Sequence, residues 1–320
     1  MDGIHGMRPG EGGLWTLGRW KEAFRQVLSG RYGILEAGAL FYWAAEEITG
    51  KSKARLLADM RCEVRGREQE RFGSVLERLG KGEPVQYVFG KAFFAGMALE
   101  VGPGVLIPRP ETEELLQWAC ASLQGTGGLA GARILDLCTG SGALALALAS
   151  AFPEARVHAC DLSLEALSFA ARNARNLGLP VHLFRHDVLS GDLPVSVTGE
   201  GLFGLMVSNP PYVLPSEKPL MRSNVLDYEP GSALFVDEEA PLAFYKALAR
   251  IARAYLAPGG FYLAEINEAF PRENRELLVD AGFEDVEVRR DFQGKSRMLR
   301  ARQPFSEAAS CTGLIPVASV

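Results

Sequence analysis

Ile134-Leu135-Asp136-Leu137-Cys138-Thr139-Gly140-Ser141-Gly142-Ala143-Leu144-Ala145 decides the fold of this chain. The apolar run reads as a buried strand, the glycines at 140 and 142 as a turn, and the Ala-Leu alternation as a helix start. Strand, glycine-rich turn and helix in that order open a βαβ unit. Strand-like runs lie at 133–138, 156–161, 181–187, 202–208 and 260–266, and helical patterns at 142–151, 164–177 and 242–256 separate most of them. This alternation predicts an α/β fold with a parallel, doubly wound sheet and right-handed crossovers. A last helix over 272–281 leads into strands at 286–290 and 296–302, joined by Gln293-Gly294-Lys295. That hairpin puts an antiparallel strand into an otherwise parallel sheet.

The glycine loop, Cys138 to Gly142 with Thr139 and Ser141 inside it, is the first candidate binding element. Alone, Gly140-x-Gly142-x-x-Ala145 fits a dinucleotide fingerprint as well as an S-adenosylmethionine loop. Asp136 favours the second. A carboxylate facing the cleft suits the cationic amino group of a methionine and repels a pyrophosphate. Asp161 ends the next strand about 20 residues beyond the loop, where it can accept from two ribose hydroxyls, with Leu162 beside it. Asp187 ends the third strand and suits an adenine amino group, with Val188 packed on the ring. A strand-end Asp serves as often as a turn or cap residue, so Asp187 keeps both readings.

The second element is Asn209-Pro210-Pro211-Tyr212, after the apolar run Leu205-Met206-Val207 and Ser208. Neither proline can donate to a sheet ladder, and each forces the residue before it to be extended. The strand therefore stops abruptly, with Asn209 at its carboxyl edge, where open α/β sheets bind ligands. Asn209 Oδ1 and the Pro210 carbonyl can both accept from one planar NH2 group, and Tyr212 can cover its flat face. Amides and aminated rings fit such an elbow.

The chain has 320 residues, 48% hydrophobic and 23% charged, enough for two domains with sizeable cores. Its net charge of −5 speaks against broad nucleic-acid binding. No apolar run reaches transmembrane length and the N-terminus has no secretory apolar core. The cysteines Cys62, Cys120, Cys138, Cys160 and Cys311 include no C-x-x-C pair, and the four histidines are isolated. These features predict a cytoplasmic protein without a metal site.

Residues 1–17 read as a disordered extension and 304–320 as a disordered tail. Between Arg19 and Gly80 apolar residues recur every three or four positions, among them Trp20, Phe24, Leu28, Leu40, Phe72 and Leu79, which predicts a bundle of four or five helices over 18–82. A structural cap and a partner-docking module both fit it. Residues 83–110 read as a β-hairpin linker, ending in the elbow Ile107-Pro108-Arg109-Pro110, and a helix follows from Glu111 or Thr112 through Cys120. Arg109, held between two prolines, suits a substrate anchor or an ion pair with a carboxylate across the domain junction.

The chain is similar to the protein-(glutamine-N5) methyltransferases that modify peptide chain release factors. The resemblance runs from about Trp20 to Arg302. It rests on Glu83-Pro84 with Gly90, the run Leu106 to Glu113, the loop Asp136 to Gly142, Asp161, Asn209-Pro210-Pro211-Tyr212 and Tyr228-Glu229-Pro230. It implies a class I methyltransferase domain over 111–303, Rossmann-like with a mostly parallel seven-stranded sheet, preceded by a small helical domain that docks the substrate. It implies S-adenosyl-L-methionine as cofactor and the glutamine of a Gly-Gly-Gln tip as target. Asn209, Pro210 and Tyr212 then act in catalysis, and Arg109, Pro211 and Glu229 join them in holding substrate. Release factors are the expected partner, with no direct nucleic acid or membrane, and the enzyme is expected to be a monomer. Cys138 stands where many relatives have glycine, Val188 replaces a larger aromatic, and Asn267 follows Glu265-Ile266 where a glycine is expected.

Other readings stay in view. A glutamine methyltransferase of a ribosomal protein is closer kin, but Leu106 to Glu113 favours release factors. An adenine-N6 nucleic-acid methyltransferase shares the elbow but wants a basic recognition region. Asp136 and the elbow disfavour a nicotinamide-dependent oxidoreductase, and an intact elbow disfavours a binding module without chemistry.

Overall fold

The computed structural model describes residues 15–124 and 131–305. The expected extension and tail fall mostly outside that range. The described residues form two compact units: 15–91 with Met221–Tyr228, and 92–220 with 229–305.

The first unit is helical, with α1 (Leu17–Thr49), α2 (Lys53–Ala58), α3 (Gly66–Gly80) and α4 (Val85–Phe89). Thr16 caps α1 by accepting from the Arg19 N–H, so the helix starts inside the stretch expected to be disordered, with Leu17 buried. Gly33 breaks α1 with φ 80°, ψ 162°. Within 18–82 the structure has three helices, or four when α1 is counted as two about Gly33, so only the lower figure of the four- or five-helix expectation is reached. Its core is aromatic: Trp20 stacks on Phe72 with centroids 5.3 Å apart, and Phe24 meets Phe41 edge-on at 5.6 Å. Residues 85–89 are helical rather than part of a hairpin. Pro84 fits the position before a helix, and Gly90 at φ 67° stops it. The segment Met221–Tyr228 is held in this unit by Arg31 donating to Ser223 Oγ (2.9 Å), an Arg222–Glu36 pair (3.3 Å) and the Tyr228 hydroxyl donating to the Lys81 carbonyl (3.3 Å).

The hairpin itself is short, β1 (Lys91–Phe94) and β2 (Met97–Glu100). In the second unit follow α5 (Pro110–Gln124), β3 (Arg133–Leu137), α6 (Ala143–Ala151), β4 (Arg156–Asp161), α7 (Leu164–Leu177), β5 (Val181–Arg185), α8 (Val195–Thr198) and β6 (Phe203–Ser208). Beyond the elbow come α9 (Ser223–Tyr228, counted in the first unit), α10 (Gly231–Leu234), α11 (Ala243–Tyr255), β7 (Leu256–Glu265), α12 (Pro271–Asp280), β8 (Glu284–Arg290) and β9 (Ser296–Arg302). Helix α5 starts at Pro110, one residue before Glu111 and two before Thr112, because proline suits a first helical position, and it runs on past Cys120.

Seven strands form one sheet in the order β5-β4-β3-β6-β7-β9-β8, in which β9 alone runs opposite to the other six. Ile134 packs with α5 and α6 on one face, while Leu135 and Leu137 pack with α11 on the other, the two-residue alternation of a strand covered on both sides. Helix α6 is apolar all round and buried to match. The register sets Leu137 beside Cys160 on one side and Ser208 on the other. The next residues in each strand, Cys138, Asp161 and Asn209, therefore reach the carboxyl edge at one level. The strand order reverses at β3, so this edge is the switch point of the sheet.

Candidate active site

A cavity of about 280 Å³ opens at this edge, lined by Asp136, the Cys138–Ser141 turn, Asp161, Leu162, Asp187, Val188, Asn209 and Pro211 among others. A smaller one of about 40 Å³ is lined by Arg109, Pro210, Tyr212 and, again, Asn209. Of the residues singled out in the sequence, Gly142 and Glu229 line neither. Gly142 holds φ 85° at the start of α6, where a Cβ would lie 3.2 Å from that of Ala170, so it serves close packing.

Asp136 is the electrostatic centre of the larger cavity. Oδ2 accepts from the Thr139 hydroxyl (2.6 Å) and the Ala145 N–H at the start of α6 (3.1 Å), while Oδ1 is buried without a hydrogen-bond partner. Burial pushes the carboxyl up to about 7 against those two bonds. An orphaned carboxylate oxygen in a cavity wall asks for a donor, preferably a cation. The α-ammonium of S-adenosylmethionine is such a donor, so the residues present fit this cofactor.

Asp161 accepts from the Gly140 N–H through Oδ2 and the Ser163 N–H through Oδ1, both at 2.9 Å. It thereby ties the glycine turn to β4, and its remaining lone pairs are available to ribose hydroxyls. Burial raises its carboxyl too. Asp187 accepts from the Leu189 N–H at 3.0 Å and so acts as a turn residue while lining the cavity. Cys138 sits at φ 62°, the left-handed conformation that favours glycine. Burial pushes its thiol well up, which keeps it protonated and unreactive.

At the elbow, Asn209 Nδ2 donates to Thr112 Oγ1 at 3.1 Å, and the Thr112 hydroxyl donates to Glu265 Oε1. The Tyr212 hydroxyl donates to Glu265 Oε2 at 3.4 Å, and burial pushes that hydroxyl upward, so it stays protonated. Arg109 pairs with Glu229 at 2.6 Å, and Glu229 also accepts from the Ile107 N–H at 3.0 Å. The arginine between prolines thus has a carboxylate partner, though one within its own unit rather than across the domain junction, and Glu229 anchors the loop that carries it.

Sequence reasoning passed over Thr112, His186, Phe244 and Glu265. The signal for Glu265 was the one that exposed Asp136: an acid inside an apolar strand, here Tyr262-Leu263-Ala264-Glu265-Ile266. His186 lines the large cavity with Nε2 buried and unpartnered, and burial lowers its pKa, so the ring is neutral.

Residues 20–90 match the family model described as PrmC N-terminal domain, and residues 120–224 the one described as Methyltransferase small domain. The release factor glutamine methyltransferase of Bacteroides thetaiotaomicron is 41% identical over 236 residues, 74% of this chain and 82% of that protein. That of Flavobacterium psychrophilum is 32% identical over 281 residues, 88% of this chain and 97% of that protein. Among solved structures, a release-factor-specific protein-(glutamine-N5) methyltransferase from Alicyclobacillus acidocaldarius is 26% identical with a TM-score of 0.40, covering 64% of this chain and 99% of that one. With 41% identity over 74% of its length to one such enzyme and 32% over 88% to another, the chain belongs to the family of release factor glutamine methyltransferases.

Proposed function

We infer that this protein transfers a methyl group from S-adenosylmethionine to the side-chain amide nitrogen (N5) of the Gly-Gly-Gln glutamine in peptide chain release factors. The single observation that carries the reading is Asn209. It stands in the walls of both cavities, with Nδ2 turned to Thr112 and Oδ1 left for a ligand. The larger cavity takes the cofactor, with Asp136 at the ammonium, Asp161 at the ribose and Val188 beside the adenine. The smaller takes the glutamine side chain.

The cofactor supplies a methyl group on a sulfonium, open to in-line displacement by a nucleophile. An amide nitrogen is a weak nucleophile, because its lone pair is delocalised into the carbonyl. Asn209 Oδ1 and the Pro210 carbonyl accept its two hydrogens, which aims the nitrogen and raises its electron density. Orientation of this kind has a ceiling of roughly 7–11 kcal/mol in ideal systems. The same acceptors stabilise the positive charge that grows on nitrogen. Tyr212, partly buried beside Glu265, walls the smaller cavity, and proton loss follows to water. Arg109 and Glu229 shape the approach as an ion pair. In this reading the enzyme works in the cytoplasm, where release factors are, and among the described residues no helix is long and apolar enough to cross a membrane.

The test is incubation with S-adenosylmethionine labelled in its methyl group and purified release factor, wild type beside a variant with Ala for the tip glutamine. Label on the wild type alone supports the reading. Label on adenine-containing nucleic acid and on neither protein overturns it.

A further inference from the structure

Glu265 ends β7 with no solvent exposure, and Thr112 on α5 is 4% exposed. Nothing in the reaction as described uses either. Together with Asn209 they form a chain of hydrogen bonds with a fixed direction. The Thr112 hydroxyl has one proton and gives it to Glu265 Oε1, so its oxygen can only accept from the next group. It accepts from Asn209 Nδ2. A carboxamide has two unlike ends, and drawing Nδ2 to Thr112 leaves Oδ1 as the end that meets a ligand.

We propose that Glu265 and Thr112 are positioning residues whose hydrogen-bond chain sets which end of the Asn209 carboxamide faces the substrate amide. The proposal rests on the reading of Asn209 as acceptor for the glutamine NH2. With Glu265 ionised, Oδ1 faces that NH2 and the pair is matched. With Glu265 protonated, its O–H can donate to Thr112, whose own hydrogen then turns to Asn209. The carboxamide is best satisfied by flipping, which sets Nδ2 against the substrate NH2, donor against donor. The groups facing Glu265 are Thr112 and Glu111 from α5, the Tyr212 hydroxyl from the elbow and Arg297 from β9, while the Tyr245 hydroxyl of α11 donates to its backbone carbonyl. Burial lifts the Glu265 carboxyl to about 7; Thr112 and Arg297 pull it down and Glu111 pushes it up. Its ionisation therefore falls where cells operate.

The test compares wild type, Thr112→Ser, Thr112→Val and Glu265→Gln in single-turnover methyl transfer to release factor at saturating cofactor. Cofactor affinity and melting temperature are measured beside the rates. Thr112→Val keeps the shape but removes the hydroxyl, and turnover is expected to fall about 10- to 100-fold with cofactor affinity unchanged. Thr112→Ser restores the chain and is expected within about threefold of wild type. Wild-type turnover is expected to decline as pH drops below about 7, and Glu265→Gln, which has no proton to gain, to lose that decline. The pH profile of Glu265→Gln decides the matter should Thr112→Val fold poorly. Thr112→Val as fast as wild type, Thr112→Ser as slow as Thr112→Val, or an unchanged acid limb in Glu265→Gln overturns the proposal. Wild type that leaves release factor unlabelled overturns the functional reading, and the proposal with it.

Discussion

The Asn267 carboxamide donates to the Tyr212 carbonyl at 2.9 Å, tying the end of β7 to the last residue of the elbow. The same Nδ2 donates to Glu217 Oε2 at 2.8 Å, Oδ1 accepts from the Ala269 N–H, and the residue is 3% exposed. Glycine, expected here from the resemblance, makes none of these bonds. Asn267→Gly is therefore expected to leave buried groups unpaired, at about 1–3 kcal/mol for each that water cannot reach. Melting temperature should fall, and turnover should drop more than cofactor affinity because the elbow loosens first. Thermal melts with cofactor titration check this; an unchanged melting temperature would show the bonds to be ornamental.

Cys138 offers a contrast, a departure that the fold endures. Its φ of 62° costs a side-chain-bearing residue about 1–2 kcal/mol that glycine does not pay. Cys138→Gly is expected to keep cofactor affinity and to melt at or slightly above the wild-type temperature, the gain offset in part by lost sulfur packing. Cys138→Val, β-branched in the same conformation, is expected to melt lower and bind cofactor more weakly. Equal melting of the two variants would mean that the turn relaxes out of the left-handed region.

Asp136 makes cofactor binding pH-dependent. Burial lifts it from 3.8 to about 7 in the folded protein. Between those values the unfolded chain has shed a proton that the native protein keeps, so this group's contribution to the stability of the cofactor-free protein falls as pH rises through the window. A cationic ammonium favours the ionised form, so cofactor affinity moves the other way. It should rise by up to about tenfold per pH unit until about 7, then decline above about 8 as the ligand's own ammonium deprotonates. Calorimetry across that range should show proton release on the acid side. Asp136→Asn should bind weakly with no acid limb; a persistent limb would assign it to Asp161, which burial also raises.

The parts legible in the sequence are those written in local code. The glycine turn, the two prolines after Asn209 and the apolar run of β3 each state their geometry within a few residues. Asp136, Asp161 and Asn209 all reach the cavity. The helix at 85–89 is not legible in the sequence, because Val85, Tyr87 and Val88 are strand-favouring residues, and burial of all three overrides that preference. Thr112 was missed for a different reason. Its partner Glu265 is 153 positions away, and only the pairing of β3, β6 and β7 brings α5, the elbow and β7 together. For Arg109 the sequence leaves a substrate anchor and an ion pair both open, because its partner Glu229 lies 120 positions on, past the elbow.

Asn209 itself gives the most direct test of the chemistry. Asn209→Ala removes the acceptor without disturbing Asp136, the glycine turn or Asp161, so cofactor affinity should stay within a few fold. Loss of one aligned polar group at a site of developing charge typically costs about 10²–10³ in turnover, or about 2.7–4 kcal/mol. Asn209→Asp sharpens the point. It keeps an acceptor toward the substrate but turns a second oxygen on Thr112 Oγ1, whose proton is already given to Glu265. That oxygen-on-oxygen contact should disorder the side chain or hold it protonated, and turnover should fall almost as far as in Asn209→Ala. Single-turnover rates for both variants at saturating cofactor decide it. An Asn209→Asp enzyme near wild type would mean that the acceptor alone suffices and the donor to Thr112 is dispensable.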